Sequence, residues 1–282
     1  MINTHSCKKI NGLSDLGDFD SVKYSKFKYG SNLYAREFAY ELLNSFLESG
    51  IDLQKYRNKG IIVTASPYKY LEPAAFLIAK HFLNFLNYHL YTNSMDAAHL
   101  IKINRSVLFE GDYGILSKEE RTKLMSKDKL TVDKDFVKDK LFIIIDDIKI
   151  TGSHENKIIN MINESKIECD SYYLYYAELL DKTANPKIEF QLNHCYVNSL
   201  KKIEELIDSN FVLNARICKY ILETKEPYLN KFLNNQGYEF LINLIDSLIG
   251  DGYNKMKLYQ NNFIILNKMI DSKTKMLKLN KK

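Results

Sequence analysis

Two neighbouring acids and a short hydroxyl-rich turn are the groups in this sequence best suited to chemistry. Asp146 and Asp147 directly follow the apolar run LFIII, and the turn TGSH at residues 151–154 comes shortly after them. Adjacent carboxylates can accept hydrogen bonds from a pair of vicinal hydroxyl groups. A turn that precedes a helix offers free amides and the positive end of the helix dipole to a phosphate. Together the two features suit the binding of a ribose 5-phosphate.

A buried strand must position these groups. The continuous apolar run at residues 141–145 is typical of a strand that is covered on both faces, and we expect Asp146-Asp147 to end it at the carboxyl edge of the sheet, where ligands of open α/β sheets bind. The turn then leads into a helix over Glu155–Ile162. Three-and-four spacing predicts a helix capped by Ser31, and a second apolar helix over Ala74–His89. The further predicted strands are Ile61–Thr64, Lys102–Phe109, Tyr172–Ala177 and Cys195–Val197.

Strands that alternate with helices predict an α/β fold with a parallel sheet. We expect a polar N-terminal arm over residues 1–30, an α/β core over 31–198 and an α-helical region over 199–282 that caps the core. The best helical segments of the cap are Phe211–Glu223, Tyr238–Ile249 and Met256–Ile270.

Composition narrows the classes of protein. A hydrophobic fraction of 45% in 282 residues is enough for a large core, and a net charge of +5 spread along the chain does not indicate a nucleic-acid partner. No apolar run approaches the length of a membrane span, and the first residues lack the pattern of a signal peptide. Four scattered cysteines without a CxxC pair indicate neither a disulfide framework nor a zinc site. We therefore expect a cytoplasmic protein with no membrane contact.

The acid pair has two other interpretations. An acid after a buried strand also holds magnesium in P-loop NTPases, but the only glycine pair with the required spacing, Gly12 and Gly17, is followed by Asp18 instead of lysine. Alternatively, the acids merely end a strand at the surface. The Thr-Gly-Ser turn at the right distance favours the ligand-binding interpretation.

The run LFIIIDDIKITGSHE (residues 141–155) resembles the signature of type I phosphoribosyltransferases, which bind phosphoribosyl pyrophosphate (PRPP). The resemblance implies a parallel-sheet phosphoribosyltransferase-like core, here with an α-helical C-terminal cap. It also implies a Mg²⁺-dependent transfer of the 5-phosphoribosyl group to a nitrogen acceptor, with release of pyrophosphate. The segments KYGS, DYG…SKEER and DDIKITGSHE are similar to a bacterial subgroup of such proteins, some of them associated with stress-response gene clusters.

The resemblance assigns roles to further residues. The expected catalytic residues are Asp146, Asp147 and Lys69. The expected PRPP-binding residues lie in two segments, and a third segment supplies a flexible loop. The PRPP-binding residues are Asp146, Asp147, Ile150, Thr151, Gly152, Ser153 and His154, together with Ser66, Pro67, Tyr68 and Lys69 of the expected pyrophosphate loop. The candidates for the flexible loop are Asp112, Tyr113, Lys118 and Arg121. Mg²⁺ would be held mainly through PRPP, with Asp146 or Asp147 as a candidate ligand.

The sequence departs from the family pattern at two positions. Purine-salvage members carry an acid that faces the base at the position of Ile150, and the family signature usually ends in Thr at the position of His154. Isoleucine cannot hydrogen-bond a purine nitrogen, so we expect an acceptor other than a 6-oxopurine. A non-catalytic sensor of PRPP or of nucleotides is the alternative, since this fold also serves regulators. A homodimer is a candidate assembly.

Overall fold

A computed structural model describes residues 2–106, 129–181, 187–207 and 209–279. Its central sheet has five strands in the order β1-β7-β6-β2-β3, and every pair of neighbours is parallel. A separate antiparallel pair joins β4 to β5. The strands are β1 (Ile2–Ile10), β2 (Ile61–Ala65), β3 (His99–Leu100), β4 (Asn104–Arg105), β5 (Leu130–Thr131), β6 (Leu141–Lys149) and β7 (Asp170–Leu179).

Helices flank the sheet and predominate in the described C-terminal region. They are α1 (Ser21–Lys28), α2 (Asn32–Glu48), α3 (Ala74–Thr92), α4 (Lys134–Val137), α5 (Ser153–Glu164), α6 (Ile188–His194), α7 (Leu200–Ile207), α8 (Ala215–Glu223), α9 (Glu226–Asn235), α10 (Tyr238–Asp251) and α11 (Gln260–Leu279). Short 3-10 turns occur at Leu53–Tyr56, Tyr253–Lys255 and Lys257–Tyr259. The α/β fold with a parallel sheet is confirmed. No helix within the described ranges is both long and apolar enough to span a bilayer.

The apolar stripe of α2 was predicted correctly from its spacing. The six predicted positions of the stripe are all buried: Ala35, Phe38, Ala39, Leu42, Leu43 and Phe46. Ser31 does precede the helix, but its side chain makes no capping hydrogen bond. The helix therefore depends on burial of its stripe and not on the predicted cap.

Strand β6 lies in the middle of the sheet and is covered on both faces. Leu141, Ile143 and Ile145 belong to one apolar cluster with α2 and α3, whereas Phe142 and Ile144 belong to another with α5. The strand does not end at the acids as we expected. Its pairing with β7 continues to Lys149, so the acids lie within the strand and are buried.

The N-terminal segment is not a polar arm. Residues Ile2–Ile10 form the edge strand β1, which pairs in parallel with β7, and Ser21–Lys28 forms α1. An edge strand exposes one side, so its polar sequence is compatible with a strand although it lacks an apolar run.

Two other predicted strands are wrong. Of Lys102–Phe109, only Asn104–Arg105 is a strand among the residues described, and positions 107–109 lie outside them. The segment Cys195–Val197 is irregular. Its amides at Tyr196 and Val197 donate to the hydroxyl of Ser25 in α1, at 3.3 and 3.1 Å, and these bonds take the place of a sheet ladder.

The helices after residue 199 enclose an apolar core of their own, built from buried aliphatic side chains such as Ile221, Leu233 and Leu244. The all-helical character of this region was predicted, but α8 begins only at Ala215 because Phe211 forms a bridge with Ser31. The proposed division at residue 198 stays a prediction.

Candidate functional site

A cavity of about 700 Å³ lies where β2 and β6 end and the chain turns into α3 and α5. The carboxyl edge of a parallel sheet is the usual ligand site of such folds. Three further helices complete the wall, namely α1, α6 and α8. The lining residues from these helices and their flanks are Lys28, Tyr29, Glu189, Phe190, His194, Ala215, Arg216, Lys219, Tyr220 and Glu223.

Asp146 is 4% exposed and is hydrogen-bonded through both of its carboxylate oxygens. Oδ1 accepts from the Ser66 hydroxyl at 2.8 Å and from the Asp147 amide at 3.1 Å. Oδ2 lies 3.3 Å from the Tyr173 hydroxyl and 3.4 Å from His154 Nδ1, which must donate because a carboxylate only accepts. Asp146 thus ties together the ends of β2 and β6 and the start of α5.

Asp147 forms a buried ion pair with Lys28 of α1. Its Oδ2 accepts from the Lys28 ammonium and, at 2.8 Å, from the Tyr24 hydroxyl. Burial by itself would raise the pKa of Asp147, but the Lys28 charge and these hydrogen bonds outweigh it and lower the pKa below its usual value. Asp147 is therefore ionised and has Lys28 as its counter-ion, an ion pair that the sequence did not predict.

The turn between β6 and α5 has the geometry of an anion site. Gly152 has φ 70°, in the left-handed region that glycine adopts most readily, and it precedes α5 without any side-chain cap. The first amides of a helix lack intrahelical acceptors. Beside them, the hydroxyl groups of Thr151 and Ser153 lie 2.8 Å apart. All four predicted residues of this turn line the cavity.

His154 adds a titratable ring at this point. Burial lowers the pKa of His154, but its bond to Asp146 and the Asp146 charge raise it more, so the net shift is upward from 6.5. The side chain is still 46% exposed. The raised pKa favours the charged imidazole, and a positive charge at the start of α5 would favour binding of a phosphate.

The structure does not bring Lys69 to the cavity. Its ammonium donates to the Asp251 carbonyl oxygen at 3.4 Å, in the C-terminal helical region. Tyr68 packs against Phe76 and lies under the Lys102 ammonium instead of lining the cavity. Of the predicted pyrophosphate loop, only Ser66 and Pro67 reach the cavity.

The same loop is held by the helical region through its backbone. The buried carboxylate of Asp251 accepts from the amides of Tyr70 and Leu71, at 2.9 and 3.1 Å. These amides are consequently engaged by protein. The proposed role of Lys69 in neutralising pyrophosphate has no support in this arrangement.

The remaining predicted residues fall into two groups. Ile150 is half-buried, packs against the main apolar core and lines the cavity. The four candidates for a flexible loop lie outside the described residues: Asp112, Tyr113, Lys118 and Arg121.

Several cavity residues were missed by sequence reasoning. Lys28 and Tyr29 belong to the KYGS segment, which carried part of the resemblance without any role being assigned. Arg216, Lys219 and Glu223 recur at helical spacing on one face of α8, a pattern that ordinarily indicates a solvated surface. Lys149 was also missed, and it pairs with Glu155 at 2.6 Å.

The donor set bears on a magnesium ion. Throughout the described parts of the chain, no group of three or more His, Cys, Asp or Glu side chains could hold a metal. Mg²⁺, however, is commonly bound through one or two carboxylates plus substrate phosphates. The acid pair therefore fits an ion that is held mainly by the oxygens of a ligand, and not a dedicated metal centre.

Comparison with known proteins gives a family match over most of the chain and a distant likeness to a solved structure. A family model described as PRTase ComF-like, where PRTase denotes phosphoribosyltransferase, matches residues 1–266. Among solved structures, a hypoxanthine phosphoribosyltransferase from Staphylococcus aureus is similar at 13% identity, over 54% of this chain and 76% of that one, with a TM-score of 0.29. No curated protein matches the sequence.

Proposed function

We propose, since the chain belongs to the PRTase ComF-like family, that it binds PRPP in this cavity and transfers the 5-phosphoribosyl group to a nitrogen acceptor. The observation that carries the proposal is one cavity lined by both a buried acid pair and an uncapped helix start. These groups match the hydroxyls and the 5-phosphate of one ligand.

The ribose hydroxyls would be recognised by the acids. Asp146 already accepts from several protein donors, whereas the hydrogen bonds that Tyr24 and Lys28 donate to Asp147 converge on a single oxygen. Asp147 would therefore be the principal acceptor for the hydroxyl pair. Lys28 keeps that acid charged, and charged acceptors form the stronger hydrogen bonds.

The 5-phosphate would lie at the start of α5. The amides after Gly152 and the hydroxyls of Thr151 and Ser153 favour an anion there, as does the ring of His154, whose raised pKa favours its charged form. Arg105 also lines the cavity and acts electrostatically on His154, so its charge lies close to the same position.

Bound Mg²⁺ would neutralise pyrophosphate charge as the bond at ribose C1 breaks. The protein's own contribution would be to bind and orient PRPP and to hold water away from C1, with little covalent chemistry. Ile150 stands in the cavity wall where purine-salvage enzymes carry an acid, so we expect no useful turnover of hypoxanthine or guanine.

A non-catalytic PRPP sensor is the second candidate, and one observation favours it. Lys69, the only charged residue of the expected pyrophosphate loop, donates to the Asp251 carbonyl oxygen instead of reaching the cavity, and the amides of Tyr70 and Leu71 just after it are engaged by the Asp251 carboxylate. A sensor needs the ribose 5-phosphate contacts but not a departing pyrophosphate.

Calorimetry with PRPP and Mg²⁺ tests the binding site. We expect the wild type to bind, and Asp146→Asn with Asp147→Asn to lose binding, since each lost charge-assisted hydrogen bond costs about 1.5–3 kcal/mol. The exposed pair Asp96→Asn with Asp271→Asn is the control for charge alone and should bind like the wild type. Unaltered binding by the first variant would refute the site.

Two further measurements complete the tests. A charge-balanced variant checks the binding site, and an activity screen separates the two candidate functions. Because Asp147→Asn leaves the Lys28 charge buried, Lys28→Met with Asp147→Asn supplies a charge-balanced variant, whose folding is checked by circular dichroism. Pyrophosphate release from PRPP is then screened across nucleobases and a cell extract. Release with guanine would contradict the argument from Ile150, and tight PRPP binding without release on any acceptor would establish the sensor.

A further inference from the structure

An aromatic wall lines the cavity on the side of α6. The rings of Phe190 and His194 lie 4.0 Å apart between centroids, and Tyr29 and Tyr220 meet edge to face at 5.5 Å. All four residues line the cavity. Tyr29 is fully buried behind this wall, whereas the half-buried rings of Phe190 and Tyr220 can offer a flat apolar face, which favours a planar ring as the ligand.

Hydrogen bonds hold this wall in one arrangement. His194 Nδ1 lies 2.8 Å from the Phe190 carbonyl oxygen, which can only accept, so Nδ1 carries a proton. Nε2 lies 2.8 Å from the Tyr29 hydroxyl, which can donate to it. Since both ring nitrogens are engaged, the rings are oriented before any ligand arrives, and less entropy is lost on binding.

Glu189 is half-buried next to this wall and also lines the cavity. Burial is the largest influence on the pKa of Tyr24 and of His154, raising the first and lowering the second, and the charge of Glu189 acts to raise both. Glu189 therefore lies within electrostatic reach of the hydroxyl bound to Asp147 and of the phosphate turn. Glu189 thus brings a carboxylate to the cavity from α6. Ile150, which follows the end of β6, brings none.

We propose that α6 and α8 form the acceptor subsite, which takes a planar nitrogen heterocycle, and that Glu189 accepts the hydrogen of its ring N–H group. This inference rests on the proposed function. The ring would pack against Phe190 and Tyr220, with its N–H edge toward Glu189 and ribose C1.

The step balances without any added reactant. The ring nitrogen forms the bond to C1 while the bond from C1 to the pyrophosphate oxygen breaks, and pyrophosphate leaves with that electron pair. The N–H proton passes to the Glu189 carboxylate. Because the acid comes from α6 and not from the position of Ile150, the heterocycle must approach differently from a purine in the salvage enzymes.

Saturation-transfer NMR on protein saturated with PRPP and Mg²⁺ tests the subsite. The probes are uracil, cytosine, adenine, imidazole and 1,2,4-triazole, each of which carries a ring N–H group. We expect at least one probe to bind the wild type, and Glu189→Gln to weaken that probe at least tenfold. Phe190→Ala should weaken it as well. PRPP affinity should stay within twofold in Glu189→Gln, and the exposed control Glu164→Gln should match the wild type in both measurements.

The failures point to different conclusions. If PRPP itself does not bind the wild type, the proposed function is wrong. If PRPP binds but none of the five probes does, or if Glu189→Gln binds its probe as tightly as the wild type, the acceptor subsite is wrong and PRPP binding still holds.

Discussion

Replacing Lys28 by Met should destabilise the protein strongly, although lysine is ordinarily a surface residue. The Lys28 and Asp147 side chains are only 10% and 9% exposed, and the ammonium is the counter-ion of that carboxylate. Removing one partner of a buried ion pair leaves an uncompensated charge, which typically costs about 3–5 kcal/mol. The Tyr24 hydroxyl still donates to Asp147, so we expect a loss near the lower end, about 3 kcal/mol.

The pH dependence has a definite sign. In the wild type the pKa of Asp147 is lowered, so the pair stabilises the fold above the carboxyl's unfolded pKa, and this contribution is lost as pH falls through the folded pKa. In Lys28→Met, burial without a counter-ion raises the pKa of Asp147. The loss should therefore be largest at neutral pH and shrink as the carboxyl becomes protonated in acid.

Urea unfolding followed by circular dichroism measures these effects. A double-mutant cycle of Lys28→Met, Asp147→Asn and the combined variant isolates the coupling between the two residues. The combined variant should lose less free energy of unfolding than the sum of the two single losses, because it buries no unpaired charge. Single losses below about 1 kcal/mol that simply add would refute a buried, coupled pair.

Two further predictions concern the segments around the cavity. Gly152→Ala should cost about 1 kcal/mol in urea unfolding and weaken PRPP binding in calorimetry, because alanine resists the left-handed φ of 70° even though its methyl group would meet only Lys149 Cε at 3.7 Å. A variant as stable as the wild type would contradict this. Asp251→Ala should lower the free energy of unfolding by about 2 kcal/mol or more, since a buried and a half-buried loop amide both lose their acceptor, whereas Asp251→Asn keeps an oxygen and should cost less. Equal losses for the two substitutions would show that the amide bonds do not matter.

The correctly predicted parts of the fold are those that depend on patterns within a single short segment of sequence. The stripe of α2 follows from spacing within one segment, and the strands predicted at Ile61–Thr64 and in the apolar run of β6 follow from local composition. Strand β2 extends one residue further than predicted, to Ala65. Strand β1 was missed because its pairing partner β7 lies far away in sequence and its own residues are polar. The segment Cys195–Val197 has the composition of a strand, but a hydroxyl on α1 decides its conformation.

The candidate site divides in the same way. The acids and the turn lie in one short stretch of sequence, so their arrangement could be predicted without a structure. Lys28 meets Asp147 only after the chain has folded across more than a hundred residues, and a lysine on a short helix gives no sign of burial. The surroundings of Lys69 could not be predicted because they depend on Asp251, in a region whose contact with the loop has no local signature.

These distant contacts make the C-terminal helices part of the site. Asp251 fixes the loop that carries Ser66 and Pro67 into the cavity, and α8 supplies Arg216 and Lys219 to the cavity wall. A chain truncated after the sheet would lose both the anchor of its loop and part of the positive charge that favours an anionic ligand. We therefore expect removal of the C-terminal helices to abolish PRPP binding in calorimetry, even where circular dichroism shows that the sheet remains folded. Binding by such a truncated chain would show that the helical region only covers the core.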